Sequence, residues 1–353
     1  MKRILSLDGF RFVMCCTIFI GHCTWLNDYK YGYIHQIFFQ NSSLALDYFF
    51  MLSGFGMYLN YNNTKHIFGG GKLLKKAYIV YVFSMLLYLP LVILGYVNIK
   101  SFVVLFLLNL TLLQSLIPST TFSHGINGVC WFLSSLFCIL CLSPILLKLI
   151  QKKLVASLVL FSILYGFLYE IGIRYNGEVF TLFSYNVALD LGSTPYLNFY
   201  IFFWGMVLGK LYINYGVIFV NYVKLIPYVA AIYYFSRISL LNMTNAYFIL
   251  RMIDIIVALG LIYVLATGKE KITRIFSNKV LVNISKYTLH IYLLHYPVIA
   301  YLEYFVKVKG DIFGDFSWLL YLIFCIVGTT CVVQFYLICE KYKKLISSYF
   351  CKC

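Results

Sequence analysis

Residues 7–22 read LDGFRFVMCCTIFIGH. Asp8 and Arg11 stand at the start of the stretch and His22 at its end, with an apolar run between them. That run extends over about 10–26, follows Lys2 and Arg3, and lacks a small-residue cleavage site. It is therefore expected to stay in place as a signal anchor. Working outward, the rest of the chain repeats the pattern. Of 353 residues 62% are hydrophobic and 11% charged, with a mean hydropathy of +0.86. A soluble domain carries about 25% charged residues, so disorder, a coiled coil and a soluble globular enzyme are excluded. The fold class expected is all-α: a polytopic membrane protein.

Ten runs have the length of spanning helices, at about 10–26, 44–60, 77–97, 129–149, 154–173, 197–213, 224–241, 247–267, 284–306 and 317–339. Each is long enough for a hydrocarbon core of ~30 Å. A further run, 101–116, is decided by the bias of basic residues toward cytoplasmic loops. With 101–116 left as a re-entrant or surface segment, nineteen Lys and Arg residues fall on the side of the N-terminus and six on the other. If it spans, every later loop changes side and the bias collapses. The expectation is ten spans with both termini cytoplasmic, in one transmembrane domain over 1–353 without a soluble extracytoplasmic domain.

The 28 basic against 12 acidic residues give a net charge of +16. The basic residues sit in short loops between apolar runs, which is a topology signal, and nucleic acid is not an expected partner. Cys15, Cys16, Cys130, Cys138, Cys141, Cys325, Cys331 and Cys339 lie inside apolar runs, where Cys behaves as a small hydrophobe. No Cys/His cluster has zinc spacing, so neither metal nor disulfide is expected.

An ionisable group within a span costs several kcal/mol unless paired or facing a wet cavity, so each is a site candidate. Arg11 and His22 are eleven residues apart, which is three helical turns plus about 20°, so they share a face roughly 16 Å apart. Asp8 is one turn before Arg11 and can pair with it. The alternative reading is that Arg11 snorkels to headgroups and His22 bonds a neighbouring helix. His295 is expected about eleven residues into its run and His22 about twelve into the first, from the same side, so the two can line one cavity. Tyr292 lies one turn below His295, while His290, about 140° round, reads as packing. Asp47 is expected near the outer face, and Ser53-Gly54 permits close backbone approach. Arg251 and Asp254, three apart, are expected to form a structural ion pair.

These segments together resemble the membrane acyltransferase-3 family, multi-pass O-acyltransferases of bacterial surface polysaccharides and related carbohydrates. Leu7-Asp8-Gly9-Phe10-Arg11 and His22 are similar to its LDGLRG start and Arg-x10-His motif. Asp47-Tyr48-Phe49-Phe50 through Ser53-Gly54-Phe55 resembles its D-x-FF-x-x-SGF segment. Asn127 to Leu133, with Trp131, followed by Ser143-Pro144, resembles its WFL…P helix. Ser285-Lys286-Tyr287 through Tyr292-Leu293-Leu294-His295-Tyr296-Pro297 is similar to its closing S-x-x-x-YLxHxP element. Two departures stand out: Ser134, Ser135 and Leu136 where many relatives carry a Glu, and only Lys75 and Lys76 where many carry Arg-x-x-Arg.

The resemblance implies transfer of an acyl group, acetyl being the expected one, from acyl-CoA to a hydroxyl of a surface polysaccharide or lipid-linked sugar. It places the protein in the bacterial cytoplasmic (plasma) membrane among its lipids, with acyl-CoA as donor substrate and no tightly bound cofactor. The chemistry fits: the hydroxyl proton needs a base and the developing oxyanion needs donors. His22 suits the base, with Arg11 and His295 as the other catalytic candidates. Asp8, Asp47, Ser53, Tyr292, Trp131, Lys72, Lys75 and Lys76 are the candidates for substrate or donor binding, the lysines toward coenzyme A phosphates. The rival class is a transporter or flippase of a glycan or lipid precursor, which would carry acids at the midplane.

Overall fold

A computed structural model describes residues 3–23, 32–65, 71–95, 98–182, 185–216, 225–243, 247–268, 271–309 and 317–350. The helices in chain order are α1 (Leu5–His22), α2 (Gly32–Thr64), α3 (Gly71–Leu86), α4 (Leu89–Ile93), α5 (Ile99–Leu110), α6 (Thr120–Ser123), α7 (Trp131–Lys152) and α8 (Leu154–Tyr175). After a hairpin follow α9 (Pro195–Tyr215), α10 (Ile226–Met243), α11 (Tyr247–Thr267), α12 (Lys271–Phe276), α13 (Lys279–Ile284), α14 (Thr288–Lys309) and α15 (Ser317–Phe350). Seven of the described helices are long and apolar enough to cross a membrane: α1, Lys75–Ile93, α7, α8, α9, α11 and Leu319–Lys343. The other three expected runs fall on α2, α10 and α14, of 33, 18 and 22 residues.

The outer helices display what a lipid-facing surface requires. Val155, Val159, Leu160, Ile163 and Phe167 of α8 are all exposed, as are Ile323, Phe324, Val327 and Phe335 of α15. A soluble surface does not carry apolar stripes of this extent. The interior is built around α1, α2, α9 and α11. At the α2–α9 crossing, a Cβ on Gly54 would stand 2.1 Å from the Phe202 carbonyl oxygen, and one on Gly205 2.1 Å from that of Met51. The two glycines thus let the backbones touch, the packing mode expected of membrane helices.

Segment 101–116 is not a straight span. Helix α5 has 12 residues, about 18 Å at 1.5 Å per residue, which is too short. Its end is held inside the protein: Tyr78 and Tyr81 hydroxyls donate to the carbonyls of Leu110 and Asn109 at 2.7 and 2.9 Å. From there the chain turns through Gln114–Leu116 and α6 to the start of α7. The run 77–97 is likewise broken, into α3 and α4, with Pro90 seated in the first turn of α4, where its missing N–H costs nothing.

Two features depart from the sequence reading. Helix α2 begins at Gly32, not near residue 44, because the polar stretch Gln40–Ser43 continues the helix instead of looping. Asn41 donates to the Ile37 carbonyl at 2.8 Å and Ser42 to that of Phe38 at 3.0 Å, so these side chains satisfy themselves one turn back. Asp47 therefore sits fifteen residues into the helix, at 0% exposure, and not near its outer end. The second feature is a hairpin, β1 (Val179–Leu182) and β2 (Tyr185–Ala188), antiparallel with Val179 opposite Ala188. Neither strand, Val-Phe-Thr-Leu or Tyr-Asn-Val-Ala, alternates strictly between apolar and polar, so the period-two signal is missing. The hairpin is tied to the segment before α6 by Asp190 N–H donating to the Pro118 carbonyl at 3.1 Å.

Candidate functional site

Helices α1 and α14 run parallel and in register. Cys15 Sγ donates to the Thr288 carbonyl at 3.6 Å, and seven residues further along each helix His22 Nδ1 meets His295 Nε2 at 2.9 Å. The matched depth read from the sequence thus becomes contact, although His22 is the last residue of α1 and not mid-helix. The rings are nearly parallel, at 21°.

The hydrogen bonds dictate the tautomers. His295 Nδ1 faces the Ile291 carbonyl at 3.0 Å. A carbonyl only accepts, so Nδ1 carries the proton and neutral His295 keeps its lone pair on Nε2. That lone pair accepts from His22 Nδ1–H. The remaining nitrogen of neutral His22, Nε2, is then unprotonated and available as a base. The ring of Tyr296 packs edge-on to His22 at 5.4 Å, and Phe19 packs on His295 at 5.4 Å.

A loop of three motif residues is clamped beside the pair. Pro297 lacks the N–H that would bond the Leu293 carbonyl one turn back. Asn127 Nδ2 donates to that carbonyl instead, at 2.9 Å, and also to Ser84 Oγ at 3.0 Å. Next, Tyr292 OH donates to the Val129 carbonyl at 3.0 Å. Between them Gly128 lies against Tyr296 so closely that a Cβ would stand 2.8 Å from its ring. Pro144 in α7 is accommodated in the same way, Ser143 Oγ donating to the freed Leu140 carbonyl at 2.5 Å. Trp131 opens α7 with its ring 6.1 Å from that of His124, and both line a cavity of about 380 Å³.

Arg11 is far from the histidines, about 16 Å along α1 by helical rise. It donates to Asp8 at 2.7 Å, and Arg3 pairs with the other Asp8 oxygen. Arg11 Nε is buried with no partner among the described residues. A second cluster joins α2, α8, α10 and α11. Arg251 binds Asp47 at 2.5 Å and Tyr165 OH at 3.2 Å. Arg237 grips Asp254 through two bonds, 3.1 and 2.8 Å, and donates to Ser43 at 2.9 Å. The expected Arg251–Asp254 pair is only a 4.0 Å contact. Each residue has a better partner on another helix.

A family model described as an acyltransferase domain matches residues 4–337. The chain belongs to this family, acyltransferase-3. No curated protein and no solved structure matches it. The chain is therefore an enzyme, a multi-pass membrane acyltransferase that transfers groups other than aminoacyl.

In the acyltransferase the remaining candidates are dispersed. Ser53 Oγ is committed to the Phe49 carbonyl at 2.8 Å, and Asp47 to Arg251. Lys75 and Lys76 are exposed near the start of α3, toward the end of the protein that holds Arg11; the Lys72 side chain lies outside the described residues. Within Ser134–Leu136, where the resemblance led to the expectation of a Glu, Ser134 Oγ donates to the Leu112 carbonyl at 2.9 Å and pairs with Ser115 at 2.7 Å, holding the turn after α5 onto α7. Sequence reasoning missed His124, Asp190 and Arg237. Arg237 had a signal: it interrupts an apolar helix, Ile226–Met243, and so had to be paired inside.

Proposed function

We propose that this acyltransferase moves an acyl group, acetyl as the family resemblance implies, from acyl-CoA to a hydroxyl of a cell-surface polysaccharide or lipid-linked sugar, in the bacterial cytoplasmic membrane. The observation that carries the reading is the tautomer forced on His22. Its Nδ1–H is fixed on His295, whose own proton is fixed on the Ile291 carbonyl, leaving Nε2 as the base. In the reaction His22 Nε2 takes the proton of the acceptor hydroxyl as the oxygen attacks the thioester carbonyl carbon. The tetrahedral intermediate collapses, the C–S bond breaks, and the His22 proton passes to the leaving thiolate. His295 touches no reacting atom and is a positioning residue. It holds His22 in the tautomer that can take the proton, and stabilises the imidazolium that forms.

Arg11 fits the other end of the donor. Thioester and phosphates of coenzyme A are separated by an extended pantetheine arm, and Arg11 stands about three helical turns below His22 on the same face of α1. Its buried Nε, without a partner among the described residues, and the exposed Lys75 and Lys76 offer donors for phosphate oxygens there. Asp8 holds the guanidinium in place. Tyr292, Asp47 and Ser53 are spent on positioning helices and loops. This orientation requires the Arg11 end to face the cytoplasm, as ten spans with both termini inside would give. The test is O-acylation of surface glycan in cells carrying His22→Ala at wild-type expression: loss of acylation is expected, and retention at the wild-type level overturns the assignment.

A further inference from the structure

Apart from the histidine pair, the molecule holds a built cavity that the acid–base chemistry does not use. Its volume is about 380 Å³, within the range of small-molecule sites. Its walls come from α2, the loop before α7 and the first residue of α7, α8, the segment before α9 with the start of α9, and the facing ends of α10 and α11. Ser6 at the start of α1 donates to Leu265 near the end of α11 at 2.6 Å. The start of α11, with Tyr247 and Arg251, therefore lies at the same end of the protein as His22. His124 leads from one region to the other: it lines the cavity four residues before Gly128, which lies against the Tyr296 ring that packs on His22.

The lining has a definite chemistry. Trp131, Tyr169 and Tyr247 supply aromatic faces, and Asp190, Asn198 and His124 supply hydrogen-bonding groups. Two arginines, Arg237 and Arg251, reach the wall, but each is already neutralised by its own buried partner, Asp254 and Asp47. The one acid on the lining, Asp190, lies 3.9 Å from His124 Nδ1 and caps its own turn through Gly192 N–H at 2.8 Å. His124 is pulled both ways, burial lowering its basicity more than Asp190 restores it. No cationic surplus is left for phosphates, so the cavity does not suit coenzyme A. Aromatic faces combined with neutral and acidic hydrogen-bonding groups suit a neutral ring with many hydroxyls.

We propose that this cavity is the acceptor subsite: it takes one sugar ring of the acceptor, stacked on Trp131 and hydrogen-bonded by Asp190 and Asn198, and delivers a hydroxyl past His124 toward His22. The proposal rests on the acyl-transfer reading above. It separates the enzyme into a donor track along α1 and an acceptor pocket beside the loop between α6 and α7. The anchoring of that loop to α14 by Asn127 and by Tyr292 fixes the distance between them.

The test compares two activities of the full-length enzyme: O-acylation of surface glycan in cells, and hydrolysis of acetyl-CoA by the purified protein. Leu241→Trp fills the cavity from α10, and Asp190→Asn keeps the turn-capping oxygen while removing the charge. Each is expected to lower the ratio of glycan acylation to hydrolysis about tenfold or more, the effect of losing a ring site or one hydrogen bond to a charged group. Ile163→Trp, the same bulk on the lipid-facing side of α8, controls for general damage and should leave the ratio as it is. Unchanged ratios in both cavity variants overturn the proposal. So does an equal loss of both activities, which would assign the cavity to the donor. A wild-type protein lacking both activities removes the acyl-transfer reading itself, and the acceptor assignment with it.

Discussion

The Asn127 amide donates at 2.9 Å to the Leu293 carbonyl, the one carbonyl of α14 that Pro297 leaves without its helical N–H. A helix imperfection on one element is thus the docking point for a loop from another, two residues from His295. In hydrocarbon a freed carbonyl must find a partner inside the protein, so the proline and the asparagine form a unit although Asn127 and Leu293 are 166 residues apart. Removing the amide should leave a buried acceptor unmet, at a cost of about 1–3 kcal/mol. If Pro297→Ala restores the helical N–H, the same Asn127→Ala change should cost about 1 kcal/mol less in that background. Thermal unfolding of the four proteins in detergent measures the coupling; strict additivity would mean that the two residues act separately.

The histidine pair makes a graded prediction. His22→Ala removes the base, and acyl transfer should fall by about 10²–10⁴. His295→Ala should cost less, since the proton-accepting nitrogen remains. His295→Gln should recover part of that loss, because its side-chain oxygen can accept from His22 Nδ1–H as Nε2 does in the wild type. Glycan O-acylation at equal expression ranks the three. A glutamine variant no better than alanine would show that the orientation of His22 does not depend on an acceptor at residue 295.

Arg11 distinguishes phosphate recognition from snorkelling. A guanidinium that meets coenzyme A phosphate through its planar fork is not replaced by a single ammonium charge. Arg11→Lys should therefore impair acyl-CoA turnover nearly as much as Arg11→Ala, with the effect in KM for the donor. Wild-type KM in the lysine variant would leave Arg11 only its bond to Asp8.

The buried charges make a structural prediction. Asp47 and Asp254 are at 0% side-chain exposure and Arg251 at 17%. Deleting one partner strands the other, so Asp47→Leu or Arg251→Met alone should destabilise by about 3–5 kcal/mol. The double variant, apolar on both sides, should recover most of that loss. Folded yield and unfolding temperature in detergent decide it; a double variant as poor as the worse single one would show that the pair is needed as a charge pair.

What was legible in the sequence follows the reach of each rule. Helical spacing placed Arg11 one turn from Asp8, and counting from one side of the membrane brought His22 and His295 to a common depth, because both arguments need only the rise per residue. Ser53-Gly54 signalled a close approach but not its partner, the Phe202 backbone of α9, since nothing local to α2 reports what crosses it. The same blindness misassigned Arg251: the i,i+3 rule pointed to Asp254, whereas Asp47, 204 residues away, is the nearer carboxylate. The second run was expected to begin only at about 44, because the polar Gln40–Ser43 look like the end of a helix. His124 and Asp190 come from two connecting segments that only the fold brings to one cavity.

Topology supplies the last prediction. The donor track proposed here needs the Arg11 end of α1 in the cytoplasm, where acyl-CoA is made and where coenzyme A phosphates can reach Lys75 and Lys76. The basic-loop bias gives the same side, and α5, with 12 residues and its end against Tyr78 and Tyr81, is shorter than a straight span. With α5 re-entrant, the end of α7 and the start of α13 lie on one side. Reporter fusions after Lys153 and after Lys279 should then both report cytoplasm. An external signal from the first alone would mean that α5 with its following turn crosses after all. External signals from both would invert the molecule, put Arg11 outside, and leave acyl-CoA no route to it.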